Sequence, residues 1–76
     1  MRMMSEVDEV GLGDWRNIDD YVSELQEAGY DAEYENLWSG SFGFTAELTI
    51  DGEVHAVFEG GSFGHLVKDV TPLSEF

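Results

Sequence analysis

Asp20, Glu24 and Glu27 recur at i, i+4 and i+7, positions that share one stripe of a helix, and Asp19 lies beside them. A few residues on, Asp31, Glu33 and Glu35 alternate, a spacing that projects side chains from one side of a strand about 6.6–6.8 Å apart. Two regular rows of carboxylate, joined through Gly29 and Tyr30, present negative charge much as a duplex presents its backbone phosphates. Such rows suit charge-assisted pairing with Lys and Arg, and they steer a molecule toward a basic groove. These carboxylates are candidate partner contacts acting as phosphate surrogates, with Trp38 as an aromatic anchor. The plainer reading is that outward positions on helices and strands are ordinarily charged. Solvated faces usually mix both signs, however, and this chain has a single lysine, Lys68.

Other chemistries find less support. Gly-Ser-Phe-Gly occurs twice, at residues 40–43 and 61–64. Glycine-rich loops cradle phosphate when a helix N-terminus and a cation stand nearby, but no lysine follows either copy. Two similar strand-end turns at one end of a sheet, each carrying a Phe, is the simpler account, with Phe63 or Trp38 available as a contact. The two histidines, His55 and His65, belong to no Ser-His-Asp set and to no cluster with transition-metal spacing. Asp51-Gly52-Glu53 reads as a turn, since the surrounding calcium-loop pattern is missing. No enzymatic activity, cofactor or metal is expected.

The composition sets the frame. Seventeen Asp and Glu against three Lys and Arg give a net charge of −14 in 76 residues. That charge repels itself and weakens a compact state. Yet 42% of the residues are hydrophobic and 13% aromatic, too many for an acidic disordered tail. An acidic surface on a real core follows, in one small domain with a single core. With no cysteine, stability rests on packing without disulfides. No apolar run approaches the ~18 residues of a bilayer span, and the N-terminus turns acidic too early for a signal peptide. The expectation is a soluble cytoplasmic protein that binds neither nucleic acid nor membrane directly, because phosphates would be repelled.

The elements that must position these residues can be read from periodicity. Residues 1–13 are expected as a flexible or loosely docked arm, with Val7, Val10 and Leu12 as a weak edge-strand signal. A helix over 17–28 is capped by Asn17, carries acid at Asp20 beside its positive end, and buries Ile18, Tyr21, Val22, Leu25 and Ala28. Gly29 fits a left-handed C′ position with Tyr30 making the apolar contact after it, and Trp15 stands ready to pack on the first turn. After Gly29 the period becomes two. Ala32, Tyr34 and Trp38 share one face of the first strand, opposite Asp31, Glu33 and Glu35. A second strand from Phe42 to about Thr49 turns Phe42, Phe44, Ala46 and Leu48 inward, and a third turns Val54, Ala56 and Phe58 inward. Residues 65–70 suggest a fourth short strand, with a helical turn as the alternative, ended by Pro72, with Leu73 and Phe76 pinning the tail. The fold class is α+β: one N-terminal amphipathic helix on a three- to four-stranded antiparallel meander.

The turn after Ile50 presents a parity problem. A two-residue Asp51-Gly52 loop pairs Ile50 with Glu53 and sets the apolar faces of the two strands on opposite sides. A three-residue Ile50-Asp51-Gly52 loop with a bulge at Gly52 restores parity, pairing Leu48 with Val54, Ala46 with Ala56 and Phe44 with Phe58. It also sets Glu47 opposite His55 as a cross-strand ion pair.

Size, charge, lack of cysteine and the α+β plan together resemble the small acidic proteins with which phages disarm host defence, the anti-CRISPR and anti-restriction DNA mimics. The resemblance is one of class, and no motif between Asp19 and Glu35 assigns a single family. It implies an inhibitor that occupies the DNA-binding channel of a CRISPR effector complex or restriction enzyme. An unpaired edge strand such as residues 31–38 leaves a monomer or a weak homodimer as the expected state. The alternative is an acidic adaptor, halophilic or antitoxin-like, that uses its sheet face for protein binding.

Overall fold

A computed structural model describes residues 7–40, 43–61 and 64–76. Phe42 as the start of the second strand, and Phe63 as a contact residue, lie outside the described residues. The element order is α1 (Ile18–Glu27), β1 (Ala32–Gly40), β2 (Gly43–Ile50), β3 (Glu53–Gly61), β4 (Gly64–Val70) and a short 3-10 turn (Leu73–Glu75). The strands form one antiparallel sheet in the order β1-β2-β3-β4, with the helix on one face. This is the α+β helix-on-meander plan that the sequence predicts.

The helix forms as its end signals require. The Asn17 side chain accepts from the Asp20 N–H at 3.1 Å, satisfying one otherwise unpaired first-turn donor. Its Ile18 N–H donates to His65 Nδ1 at 2.8 Å, so a β4 side chain supplies a second cap from 47 residues away. At the other end Gly29 has φ 101°, and Gly29 N–H and Tyr30 N–H bond the carbonyls of Gln26 and Leu25. That paired arrangement is a Schellman stop, which favours glycine because side chains resist positive φ. Ile18, Tyr21, Val22 and Leu25 are buried against Ala46, Leu48, Ile50, Ala56, Phe58 and Val67 of the sheet.

The second turn corrects the expected register. Asp51 (φ 54°) and Gly52 (φ 84°) make a two-residue loop with both central residues left-handed, and Ile50 pairs with Glu53. This is the type I′ geometry whose twist suits a hairpin. Parity is restored inside β3 instead: Thr49 pairs with Val54, Leu48 with Ala56, and the residue between, His55, is an extra one. Both His55 and Ala56 are buried as a result, while Val54 remains 39% exposed rather than turning inward. Glu47 faces Val57, not His55, so the expected cross-strand ion pair does not form.

His55 has another use. Its ring is fully buried and bonded at both ends, to Thr71 O at 2.7 Å through Nδ1 and to the Tyr21 hydroxyl at 2.8 Å through Nε2. A carbonyl only accepts, so Nδ1 carries the proton and Nε2 accepts from Tyr21. The Tyr21 oxygen in turn receives the Val10 N–H at 3.4 Å. One buried chain of polar groups thereby links arm, helix, β3 and tail, each member satisfied.

Two further bulges shape the sheet, at Leu37 in β1 and Lys68 in β4. The first overturns an expected face. Tyr34 pairs with Leu48 on the helix side, but beyond Leu37 the phase shifts and Trp38 pairs with Thr45 on the opposite, uncovered side. The arm also takes a defined course. Gly13 N–H bonds Val67 O, Val67 N–H bonds Asp14 O, and Arg16 N–H bonds His65 O, so residues 13–16 line the outer edge of β4. Trp15 bridges to Leu66 there and is 65% exposed; it does not pack on the first helical turn. Further back, Val10 is buried and Arg16 reaches Asp8 and Glu24.

Candidate functional site

Cross-strand neighbours share a face, so the register fixes which acids lie together. On the side of the sheet away from the helix, one row runs Glu35, Glu47, Val57, Asp69 across β1 to β4. Beside it runs Glu33, Thr49, Val54, and on the other flank Trp38, Thr45, Glu59, Leu66, continued by Trp15 of the arm. Strands stand about 4.8 Å apart, so a row of five residues spans roughly 19 Å. The open face therefore carries five carboxylates over three rows, and two exposed tryptophans stand at opposite ends of the row that holds Glu59.

Each tryptophan is seated by a glycine. A side chain at Gly40 would meet the Trp38 ring, and one at Gly64 would touch the Trp15 ring at 3.8 Å. These glycines begin the first Gly-Ser-Phe-Gly copy and end the second. Within the copies, Gly40 pairs with Gly43 and Gly61 with Gly64, placing both turns at the same end of the sheet. The repeats serve as two alike hairpin ends; Gly40 makes room for the Trp38 ring, while Gly64 is held by its positive φ of 128° with Trp15 at ordinary contact distance.

Glu35 directly opposite Glu47 is the least comfortable contact of the face. Like charges at paired positions destabilise a sheet by a few tenths to about 1 kcal/mol. Among the described residues the cations are Arg16 and Lys68. Arg16 is engaged with Glu24 and Asp8, while its guanidinium carbon lies 5.2 Å from the Tyr21 ring centroid. Lys68 sits exposed at the β4 bulge.

The predicted contact residues divide between two sides of β1. Glu33 and Glu35 project from the open face. Asp19 lies on the helix side, where its carboxylate accepts from the Tyr34 hydroxyl at 2.6 Å. That bond to an anion raises the Tyr34 pKa above its ordinary value. Asp20 and Glu27 are exposed on the helix, and Asp31 is exposed ahead of β1, its carbonyl accepting from the Asp51 N–H. Glu24 is half-buried and ion-paired, so it is the acid of the helical stripe that is matched within the chain. Helix row and strand row do not merge into one surface; they flank the β1 edge. Glu47, Glu59 and Asp69 join Glu33 and Glu35 instead, a grouping that sequence reasoning missed. Glu47 was readable from alternation in β2, but Glu59 and Asp69 enter only through the register of β3 with β4.

Among the described residues no group of three or more His, Asp or Glu could hold a metal, and no helix is long and apolar enough to cross a membrane. Comparison with protein-family models, curated proteins and solved structures finds no match to this chain.

Proposed function

We propose that this chain is an acidic inhibitor that takes the place of DNA in the nucleic-acid-binding channel of a host defence complex, a CRISPR effector or a restriction enzyme, in the host cytoplasm. The reading rests on one observation: the β1 edge is a wedge with carboxylates on both sides. Asp19 lies on the helix flank, and Glu33 and Glu35 with Glu47 behind them lie on the open face. A groove lined with Lys and Arg meets negative charge on either wall of such a wedge. The Glu35–Glu47 repulsion, which no cation among the described residues pairs with, is relieved when partner cations arrive. No catalytic step is assigned to it.

The experiment is a competition. Labelled duplex DNA is bound to a purified defence complex, and its release is followed as the protein is added. The wild-type chain should displace DNA, and a variant with Glu33, Glu35 and Glu47 all changed to Gln should fail while keeping its fold. Equal inhibition by the variant removes the reading.

Exposed Trp15 and Trp38 favour a second reading, an adaptor that docks a protein surface on the open face. In that case Trp38→Ala should cost more affinity than the triple Gln variant, and duplex DNA should not displace the partner.

A further inference from the structure

The two edges of the sheet differ. Residues 13–16 of the arm cover β4 along residues 65–67, whereas among the described residues no strand pairs with the outer edge of β1. Which backbone groups face outward follows from two contacts. Asp31 O accepts from Asp51 N–H and so points toward β2. Ala32 O accepts from the Gln26 side chain at 2.9 Å and so points away from it. In an antiparallel pair the direction alternates by residue, which leaves the N–H and C=O of Tyr34 and Asn36 facing outward before the Leu37 bulge.

We propose that β1 is a docking edge for an extended basic segment of the partner, which adds to the sheet as a further strand. This goes beyond the mimicry reading, because it assigns main-chain pairing and does not require the partner site to be one that also holds DNA. A strand laid along β1 extends the open-face rows by one position. Its alternate side chains fall beside Glu33, Glu35 and Trp38, so Lys or Arg at every second position meets two carboxylates and an indole face.

Charge selects this occupant over a second copy of the chain. Two molecules of net charge −14 repel as wholes, and self-pairing adds more acid to an edge that already sets Glu35 against Glu47. Acid on an edge strand is a common guard against self-association. Here the same residues discriminate, rejecting an identical edge and accepting a cationic one.

The probe is a synthetic peptide of about eight residues alternating lysine and threonine, a length and pattern suited to one strand. Amide exchange in the wild-type protein is measured with and without it. The Tyr34 and Asn36 amides should become protected on binding. Asn36→Pro removes an outward N–H at a position where an edge strand tolerates proline, and it should bind about tenfold more weakly, as expected from losing one or two hydrogen bonds. Asn36→Ala, which keeps the N–H, should bind as wild type. Binding with no protection at Tyr34 and Asn36 overturns the proposal and leaves charge attraction alone, and this readout needs no variant to fold. Protection of the same amides by self-association, seen by sedimentation without peptide, overturns it in favour of a dimer. Loss of the peptide effect alongside intact DNA competition separates failure of strand addition from failure of the inhibitor reading.

Discussion

The Tyr21 hydroxyl lies 2.8 Å from His55 Nε2, and this contact fixes the helix to the one residue of β3 that has no cross-strand partner. The bulge and the buried histidine explain each other. The extra residue turns His55 inward, and bonds to Tyr21 and Thr71 satisfy the ring where it could not reach water. Tyr21→Phe keeps the shape but strands the Nε2 acceptor and the Val10 N–H. A loss of about 1–3 kcal/mol is expected in chemical denaturation.

The same network predicts a pH dependence. Burial lowers the His55 pKa below its ordinary value of about 6.5, against the opposing pull of the Thr71 carbonyl and the Glu9 charge. The unfolded chain takes up a proton that the folded chain resists, so stability is complete above about 6.5 and declines as the pH falls below it. His55→Gln should flatten this limb of the stability curve. Tyr21 gives the alkaline counterpart. Burial pushes its pKa from 10.0 to about 12, so stability should fall as the pH rises through that interval. Denaturation midpoints across pH would check both limbs, and a wild-type curve flat below 6.5 would refute the first.

Glu35→Gln or Glu47→Gln should stabilise the fold by about 0.2–1 kcal/mol at low salt by removing a facing like charge. The gain should fade near 1 M salt, where screening acts within about 3 Å. Urea melts at two ionic strengths measure it. A destabilised variant would mean that the carboxylate has a favourable partner.

His65→Ala should remove the acceptor of the Ile18 N–H and cost about 0.5–2 kcal/mol, in the range of losing a side-chain N-cap. Ring packing adds to this loss, because His65 and Phe44 meet edge-to-face at 4.9 Å over Gly60. His65→Phe keeps the stacking without the acceptor, so comparing the two melts separates cap from packing.

Gly60→Ala is expected to destabilise by about 1–3 kcal/mol, since the new methyl would enter space held by the Phe44 and His65 rings. Gly61, with open space where a side chain would go, is the matched control. Equal melts for the two alanine variants would rule out the close approach.

The helix could be read from sequence because its determinants are local: the Asn17 cap, the buried stripe and the left-handed Gly29. The first three strands and their order were readable from alternation and turns, while the fourth had a helical turn as its alternative. Faces were not, because alternation is interrupted at Leu37, His55 and Lys68, and a bulge is defined by the strand opposite. The parity conflict at Asp51-Gly52 was visible, and a three-residue loop solved it on paper as well as a bulge does in the fold. What decides between them is the destination of His55, a bond to Tyr21 34 residues away that no local pattern records. The displaced Trp38 follows from the same blindness, although Leu37-Trp38, two large apolar residues in succession, was a trace of the broken phase. The candidate acids on β1 were readable; their companions Glu59 and Asp69 required the tertiary register.

Covering β4 with residues 13–16 has a consequence for stoichiometry. A sheet with two free edges is divalent and can propagate from molecule to molecule, as fibrils do. Among the described residues, this sheet has a valence of one. Whatever pairs with β1 finds no second edge beyond it, so assembly through the backbone terminates at a single step, and the molecule behaves as a chain end.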